Sequence, residues 1–285
     1  MDYDNETKPT DAHVDTRRLL DILRATNKKY DTEKIEKAYE YARELHAGQF
    51  RDLYSSPEDV FAFFDAFGVS RMAVSSIGTC EGDPEIPIRE VGRIVELGKE
   101  RITPVLWINP EWVESDALPC LLDCGIAWKC IKVHGYFSRW EDCPELLQSV
   151  VDLARKMNVP FLFHTGGRPE SDAGSYLSIA KKNPDMTFIL AHSRPVDQAI
   201  QVMENCPNVM ADTAFTPEED VAEMIRHGLA ERILWGTDYP LQNVFYEGED
   251  IVAHLKARIE SFRNAMSSAE WEMVSHGNFE RTFSR

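Results

Sequence analysis

The chain has 285 residues, 43% of them hydrophobic, and its 48 acidic against 31 basic side chains leave a formal charge of −17. The length suits one large α/β domain, and the acidity argues against a nucleic-acid partner, which needs a basic surface to release counterions. No apolar run approaches the roughly 20 residues of a membrane span and Met1 to Thr10 are too polar for a secretory signal, so a cytoplasmic protein that binds no membrane is expected.

In chain order, a short first strand at Asp11-Ala12-His13-Val14-Asp15 is followed by a charge-laced helical stretch from Thr32 to Ala47. That stretch is too long for an ordinary βα loop, and residues 31–55 are expected as a helical insertion folded over a barrel mouth. Ser56-Pro57-Glu58-Asp59 then supplies an N-cap, a proline in the first turn and two acids, ahead of an apolar face of Val60, Phe61, Phe64 and Phe67 closed by Gly68.

From there strands and helices alternate. Strands are expected near 71–77, 103–108, 130–134, 160–164, 187–192, 209–213 and 233–238. Helices are expected near 88–99, 115–124, 144–157, 174–182, 196–205 and 217–228. Helices near 248–262 and 267–275 follow, the second opening on a Ser267/Glu270 capping box. With the segment at 11–15 the strands number eight, the count at which a parallel sheet closes. The expectation is one α/β domain over 1–285, a single (β/α)8 TIM barrel with a helical insertion after strand 1. An open doubly wound sheet shares the alternation, but no G-x-G-x-x-G turn is present.

The six cysteines include no CxxC pair, so reduced thiols are expected, with Cys120 and Cys124, one helical turn apart, packing rather than binding zinc.

The apolar strands repeatedly run out into polar groups: Asp11-x-His13-x-Asp15, Lys132-Val133-His134, Phe163-His164-Thr165-Gly166, Ala191-His192-Ser193 and Gly236-Thr237-Asp238. Residues two apart on a strand share a face, so His13 can point inward together with Asp15 or with Asp11, and Lys132 together with His134. Either first-strand pair, with His164 and Asp238, makes a set of N and O ligands suited to Zn2+, Mn2+ or Fe2+, while His192 is placed to orient a substrate or move a proton. Lys132, His134, Arg139, Arg168 and Arg194 cluster near the same strand ends despite the acidic whole, which points to a small anionic substrate, a carboxylate above all. Tyr136, Phe137, Trp140 and Tyr239 offer apolar walls, while Trp107 and Trp235 are expected to pack within the barrel.

Each residue has a plainer reading. A lone strand-end histidine is often a hydrogen-bonded structural group, and for His134 that reading stands level with a functional one. Arg139 and Arg168 can simply pair with the abundant acids, an interaction of only about 0 to 1 kcal/mol when exposed.

Taken in order, Asp11-Ala12-His13-Val14-Asp15, Phe163-His164-Thr165-Gly166, Leu190-Ala191-His192, Leu234-Trp235-Gly236-Thr237-Asp238-Tyr239-Pro240 and the closing Gly277-Asn278-Phe279-Glu280-Arg281-Thr282-Phe283 resemble the amidohydrolase superfamily, within it the amidohydrolase-related (amidohydrolase 2) branch of shorter barrels. Any one element is weak; the ordered set spans nearly the whole chain.

The resemblance implies one divalent metal held by a first-strand pair, His164 and Asp238, with Asp238 as general base and His192 polarising the substrate. Where that branch usually has a second first-strand histidine this chain has Asp15. The ligands are then His13, Asp15, His164 and Asp238, with Zn2+ the first expectation and Mn2+ or Fe2+ as alternatives, since two carboxylates favour a harder ion. Asp11 with His13 is a second register, and a metal-free site a third arrangement. Lys132 is read as a direct anion contact rather than as a carbamylated bridge between two metals.

The leading expectation is a metal-dependent hydrolase of a small carboxylate-bearing lactone, ester or amide. A nonoxidative decarboxylase of an aromatic or unsaturated acid comes second, and a metal-free lactonase or non-catalytic binder of an acidic metabolite third. Barrels of this kind often pair, so a homodimer is an expected assembly.

Overall fold

A computed structural model of the protein describes residues 55–135, 137, 144–246 and 249–284. The chain divides into two compact units, residues 1–54 with 243–247 and residues 55–242 with 248–285, and nearly all the described residues belong to the second. The first-strand segment with Asp11, His13 and Asp15, and most of the helical insertion at 31–55, lie outside the described residues.

Helix α1 (Pro57–Asp65) starts where its sequence says it should: the Ser56 hydroxyl accepts from the Asp59 amide and the Asp59 carboxylate answers the Ser56 amide, a complete capping box. Then come β1 (Met72–Val74), α2 (Glu85–Gly98), β2 (Ile102–Trp107), α3 (Ala117–Asp123), β3 (Cys130–Val133), α4 (Pro144–Met157), β4 (Phe161–His164), α5 (Leu177–Lys182), β5 (Phe188–Ala191), α6 (Val196–Asn205), β6 (Val209–Asp212), α7 (Glu218–Arg226) and β7 (Ile233–Leu234). The chain closes with α8 (Gln242–Phe245), α9 (Ile251–Ala265), α10 (Ser268–Glu272), a π-helical turn at Met273–Gly277, and α11 (Asn278–Phe283).

Every strand pairs in parallel with the next one in sequence, giving the order β1-β2-β3-β4-β5-β6-β7. A doubly wound sheet reverses direction at a switch point; this one does not, and the architecture is the α/β TIM barrel.

Alternation along the strands explains both core and site. Leu106, Ile131, Phe161, Phe163, Phe188, Leu190, Val209, Ala211 and Ile233 face outward and pack with helix residues such as Val150, Ala154, Val202, Met203, Val221 and Met224. The opposite parity, Val105, Cys130, Leu162, Ile189, Met210 and Leu234, forms an inner layer closed by Phe279 and Phe283 of α11. Burial on both faces accounts for strands as continuously apolar as β2 and β5. Two residues beyond that inner layer the same face presents Trp107, Lys132, His164 and Asp212.

The last strand is shorter than its sequence suggests. After Leu234 the ladder stops, because the Trp235 amide bonds to the Val274 carbonyl at 3.0 Å and the Gly236 amide to the Thr213 hydroxyl at 3.1 Å. Residues 235–238 therefore run as a loop tied to β6 and to the π-helical turn. Cys124 gives its thiol to the Leu121 carbonyl, whereas Cys120 is exposed: α3 ends at Asp123, so the two do not share a packed face. Among the described residues no helix is long and apolar enough to cross a membrane.

Candidate active site

The strand that carries His164 is β4, and its register sets the site. Trp107 of β2 lies opposite Lys132 of β3, and Lys132 opposite Leu162 of β4. Lys132 accordingly rests its ammonium 4.4 Å from the centre of the Trp107 ring, a cation–π contact. His134, one residue past β3, stacks on Trp107 with centroids 5.4 Å apart and on His164 with centroids 3.6 Å apart. His164 meets His192 edge to face at 4.8 Å, and His192 Nε2 stands 3.9 Å from Asp238 Oδ2. Four strand ends and the loop after β7 thus supply one continuous row, Trp107, His134, His164, His192 and Asp238, flanked by Lys132.

Burial keeps His134 and His164 neutral. It holds the His134 imidazole well below its usual range, with His164, Lys132 and His192 adding positive charge in the same direction. The His164 imidazole is lowered to about 2, by burial first and then by His192 and Lys132. Neutral imidazole is the form that binds metal or accepts a proton.

His192 is held in detail. Its Nδ1 lies 3.1 Å from the Ala214 carbonyl, which can only accept, so Nδ1 carries the proton and Nε2, turned toward Asp238, keeps the lone pair. His192 and Ser193 take left-handed backbone conformations, φ 69° and 51°, as does Asp238 at φ 59°. Such non-glycine residues are strained and persist where their surroundings hold them. For Asp238 the holders are Gln242, whose side-chain amide donates to the Thr237 carbonyl, and the Thr237 hydroxyl, which accepts from the Tyr239 amide at 3.2 Å. The Asp238 side chain keeps 28% of its surface exposed, open to a reactant.

The residues expected to face a substrate divide. Arg194 is exposed and lays its side chain against Gly166 in the loop after His164, with Nη2 donating to the Phe215 carbonyl at 2.7 Å. Arg168 is exposed on the loop after β4. Tyr239 stacks on Phe63 of α1 with centroids 3.8 Å apart. Phe137 touches the His134 ring at 4.6 Å. His13, Asp15, Asp11, Tyr136, Arg139 and Trp140 lie outside the described residues.

Two residues escaped the sequence reading. Trp107, read as packing alone, is buried yet forms the shelf under Lys132 and the end of the histidine row. Asp212 ends β6 on the inner face, and its Oδ1 accepts the His192 amide at 2.9 Å and the Ala214 amide at 3.0 Å. Burial raises its carboxyl above the usual range, opposed by His192 and both amides and reinforced by Asp238. The signal was present: Val209-Met210-Ala211-Asp212 is one more apolar strand running out into a polar group.

Among the described residues no group of three or more His, Cys, Asp and Glu side chains is assembled to hold a metal ion. The donors that are in view, a neutral imidazole and a carboxylate, are nonetheless of the N and O kinds that Zn2+, Mn2+ and Fe2+ take.

A family model described as amidohydrolase matches residues 125–285, more than half of the chain. No curated protein matches. Among solved structures the chain is similar to an uncharacterised TIM-barrel protein from Bordetella bronchiseptica, at TM-score 0.59 and 19% identity over 80% of this chain and 83% of that one. It is similar to an amidohydrolase from Burkholderia multivorans with bound zinc, at TM-score 0.58 and 10% identity over 81% and 88%. A probable 2-pyrone-4,6-dicarboxylic acid hydrolase from Acinetobacter baumannii with citric acid bound follows, at TM-score 0.57 and 10% identity over 81% and 92%.

Proposed function

The chain belongs to the amidohydrolase family, and we propose that within it this protein is a metal-dependent hydrolase of a small carboxylate-bearing lactone, ester or amide. The observation that carries the reading is the row from His134 through His164 and His192 to Asp238, with the Lys132 ammonium beside it. The zinc in one structural neighbour and the dicarboxylic acid substrate named for another support it in kind.

His164 and Asp238 would hold the ion, with His13 and Asp15 as the proposed remaining ligands. When bound, a divalent ion there supplies a Lewis acid for the scissile carbonyl and makes water acidic enough to attack near neutral pH.

The rest is done by the chain's own groups. Asp238, partly exposed and 3.9 Å from His192 Nε2, takes the proton of the attacking water. Because His192 Nδ1 donates its hydrogen bond to the Ala214 carbonyl, Nε2 must receive a proton before it can polarise a carbonyl or protonate a leaving group, and the Asp238 carboxyl that has taken the water proton is placed to pass it on. Lys132 presents three donors and no acceptor, and among the described residues no carboxylate pairs with it, so its ammonium is left for an anionic group of the substrate. Arg194 and Arg168 add positive charge at the rim.

The test is acid release, followed at constant pH with zinc or manganese supplied, on a panel of small lactones, esters and amides headed by 2-pyrone-4,6-dicarboxylate. The reading predicts turnover of a carboxylate-bearing member and a loss of about a hundredfold or more in Asp238→Asn, the range expected on removal of a general base. CO2 release from an unsaturated or aromatic acid in place of acid release would transfer the site to nonoxidative decarboxylation. A shift in melting temperature with citrate and no turnover of any kind would make it a binding site.

A further inference from the structure

Asp212 has no part in the hydrolytic steps above, yet it is the hub of the site's wiring. One oxygen of its carboxylate accepts the amide of His192 at 2.9 Å and that of Ala214 at 3.0 Å. Its own carbonyl accepts the Ser193 hydroxyl at 2.8 Å. The Thr216 hydroxyl closes the loop by donating to the His192 carbonyl at 3.0 Å. The carbonyls of the two residues after Thr213 are spent on the β5 loop: Ala214 takes His192 Nδ1 at 3.1 Å and Phe215 takes Arg194 Nη2 at 2.7 Å.

These contacts have a consequence for chemistry. The bond from Asp212 to the Ala214 amide fixes the peptide whose neighbouring carbonyl reads the His192 ring. The bond to the His192 amide fixes the left-handed backbone from which that ring projects, at φ 69°. One side chain thereby sets both ends of the Nδ1 hydrogen bond. A backbone carbonyl offers no donor, so the bond admits only one neutral tautomer, with the lone pair on Nε2 facing Asp238. Without the carboxylate, the strained segment has lost its anchor, and a free imidazole has no comparable preference for that tautomer.

We propose that Asp212 is a positioning residue of the site: by binding the His192 and Ala214 amides together it locks His192 in the Nδ1-protonated tautomer and keeps Nε2 as the proton acceptor opposite Asp238. The proposal rests on the reading of His192 as the residue that moves the proton. Its test needs no substrate, so the two can fail separately.

The experiment is two-bond 1H–15N correlation spectroscopy on protein labelled with 15N-histidine, with zinc as the sole divalent ion, comparing wild type, Asp212→Asn and Asp212→Ala. His192→Gln, which removes one set of signals, assigns the ring. Wild type is expected to show the Nδ1–H pattern, Asp212→Asn to keep it because the amide oxygen still accepts both N–H groups, and Asp212→Ala to lose it to an exchange-averaged pattern. Unchanged His227, His254 and His276 signals in Asp212→Ala would show that the variant is folded, these rings pairing elsewhere with Glu204, Glu249 and Ser275. An Nε2–H pattern in wild type, loss of the pattern in folded Asp212→Asn, or its full retention in Asp212→Ala would each overturn the proposal. If Asp212→Ala does not fold, wild type and Asp212→Asn still decide.

Discussion

The histidine row converts burial into a chemical state. In the folded protein the His164 imidazole is depressed to about 2 from an ordinary 6.5, and His134 is depressed further in the same direction, so both stay neutral where the unfolded chain's imidazoles take protons. Between the folded and unfolded values the unfolded state binds more protons, so stability rises with pH up to about 6.5 and is level above it as far as these groups are concerned. Metal-free protein should therefore melt lower near about pH 5 than near about pH 7.5. His134→Phe keeps a ring between Trp107 and His164 but removes one titrating group, and its melting temperatures at the two pH values should lie closer together. An equal gap in wild type and variant would show that His134 is not held neutral. The histidines and Asp238 were legible in the sequence because each follows an apolar strand. Asp212 carries the same mark, but an aspartate that bonds only to amides has no distinctive spacing, and its role shows only once β5 and β6 lie side by side.

At the scale of elements, chain order was legible and strand length was not. Helix α6 occupies Val196–Asn205, as its pattern predicts, and both capping boxes form. The sequence reading extends the last strand to Asp238, yet β7 is Ile233–Leu234 alone. The reason is competition for amides: Trp235 is taken by Val274 and Gly236 by Thr213, and no local pattern announces partners about forty and twenty residues away. The closing Gly277-Asn278-Phe279 segment is the other half of that arrangement. Asn278, fully buried, donates to the carbonyls of Ala230 and Ile233, both at 2.7 Å, and accepts from Arg281 at 2.8 Å. Asn278→Ala would take a donor from each of two buried carbonyls, of which Ala230 keeps the Ile233 amide, and open a small void, and should cost about 1 to 3 kcal/mol in denaturant unfolding. A loss below about 0.5 kcal/mol, the range of ordinary surface substitutions, would mean that Asn278 does not pin β7.

Across the whole molecule a single geometric rule does most of the positioning. Parallel strands in sequential order, with alternate residues facing inward, put an apolar layer at Val105, Cys130, Leu162, Ile189, Met210 and Leu234, with Trp107, Lys132, His164 and Asp212 one step beyond it and His134, His192 and Asp238 on the loops that follow. The molecule carries −17 overall, yet the cations Lys132 and Arg194 stand beside the row, so positive charge is gathered there within a body of the opposite sign. The barrel was legible from the alternation of elements, and the row from the strand ends. The stacking of Trp107, His134 and His164 was not, because it depends on the register that sets Lys132 opposite both Trp107 and Leu162.

The proposed hydrolase needs one divalent ion at His164 and Asp238. Elemental analysis of purified protein, wild type beside His164→Ala, tests it most directly. About one equivalent of a transition metal is expected in wild type, and its loss in the variant, as follows when one of four proposed ligands is removed. No metal in wild type after incubation with zinc and with manganese, or an equivalent undiminished in His164→Ala, would contradict it.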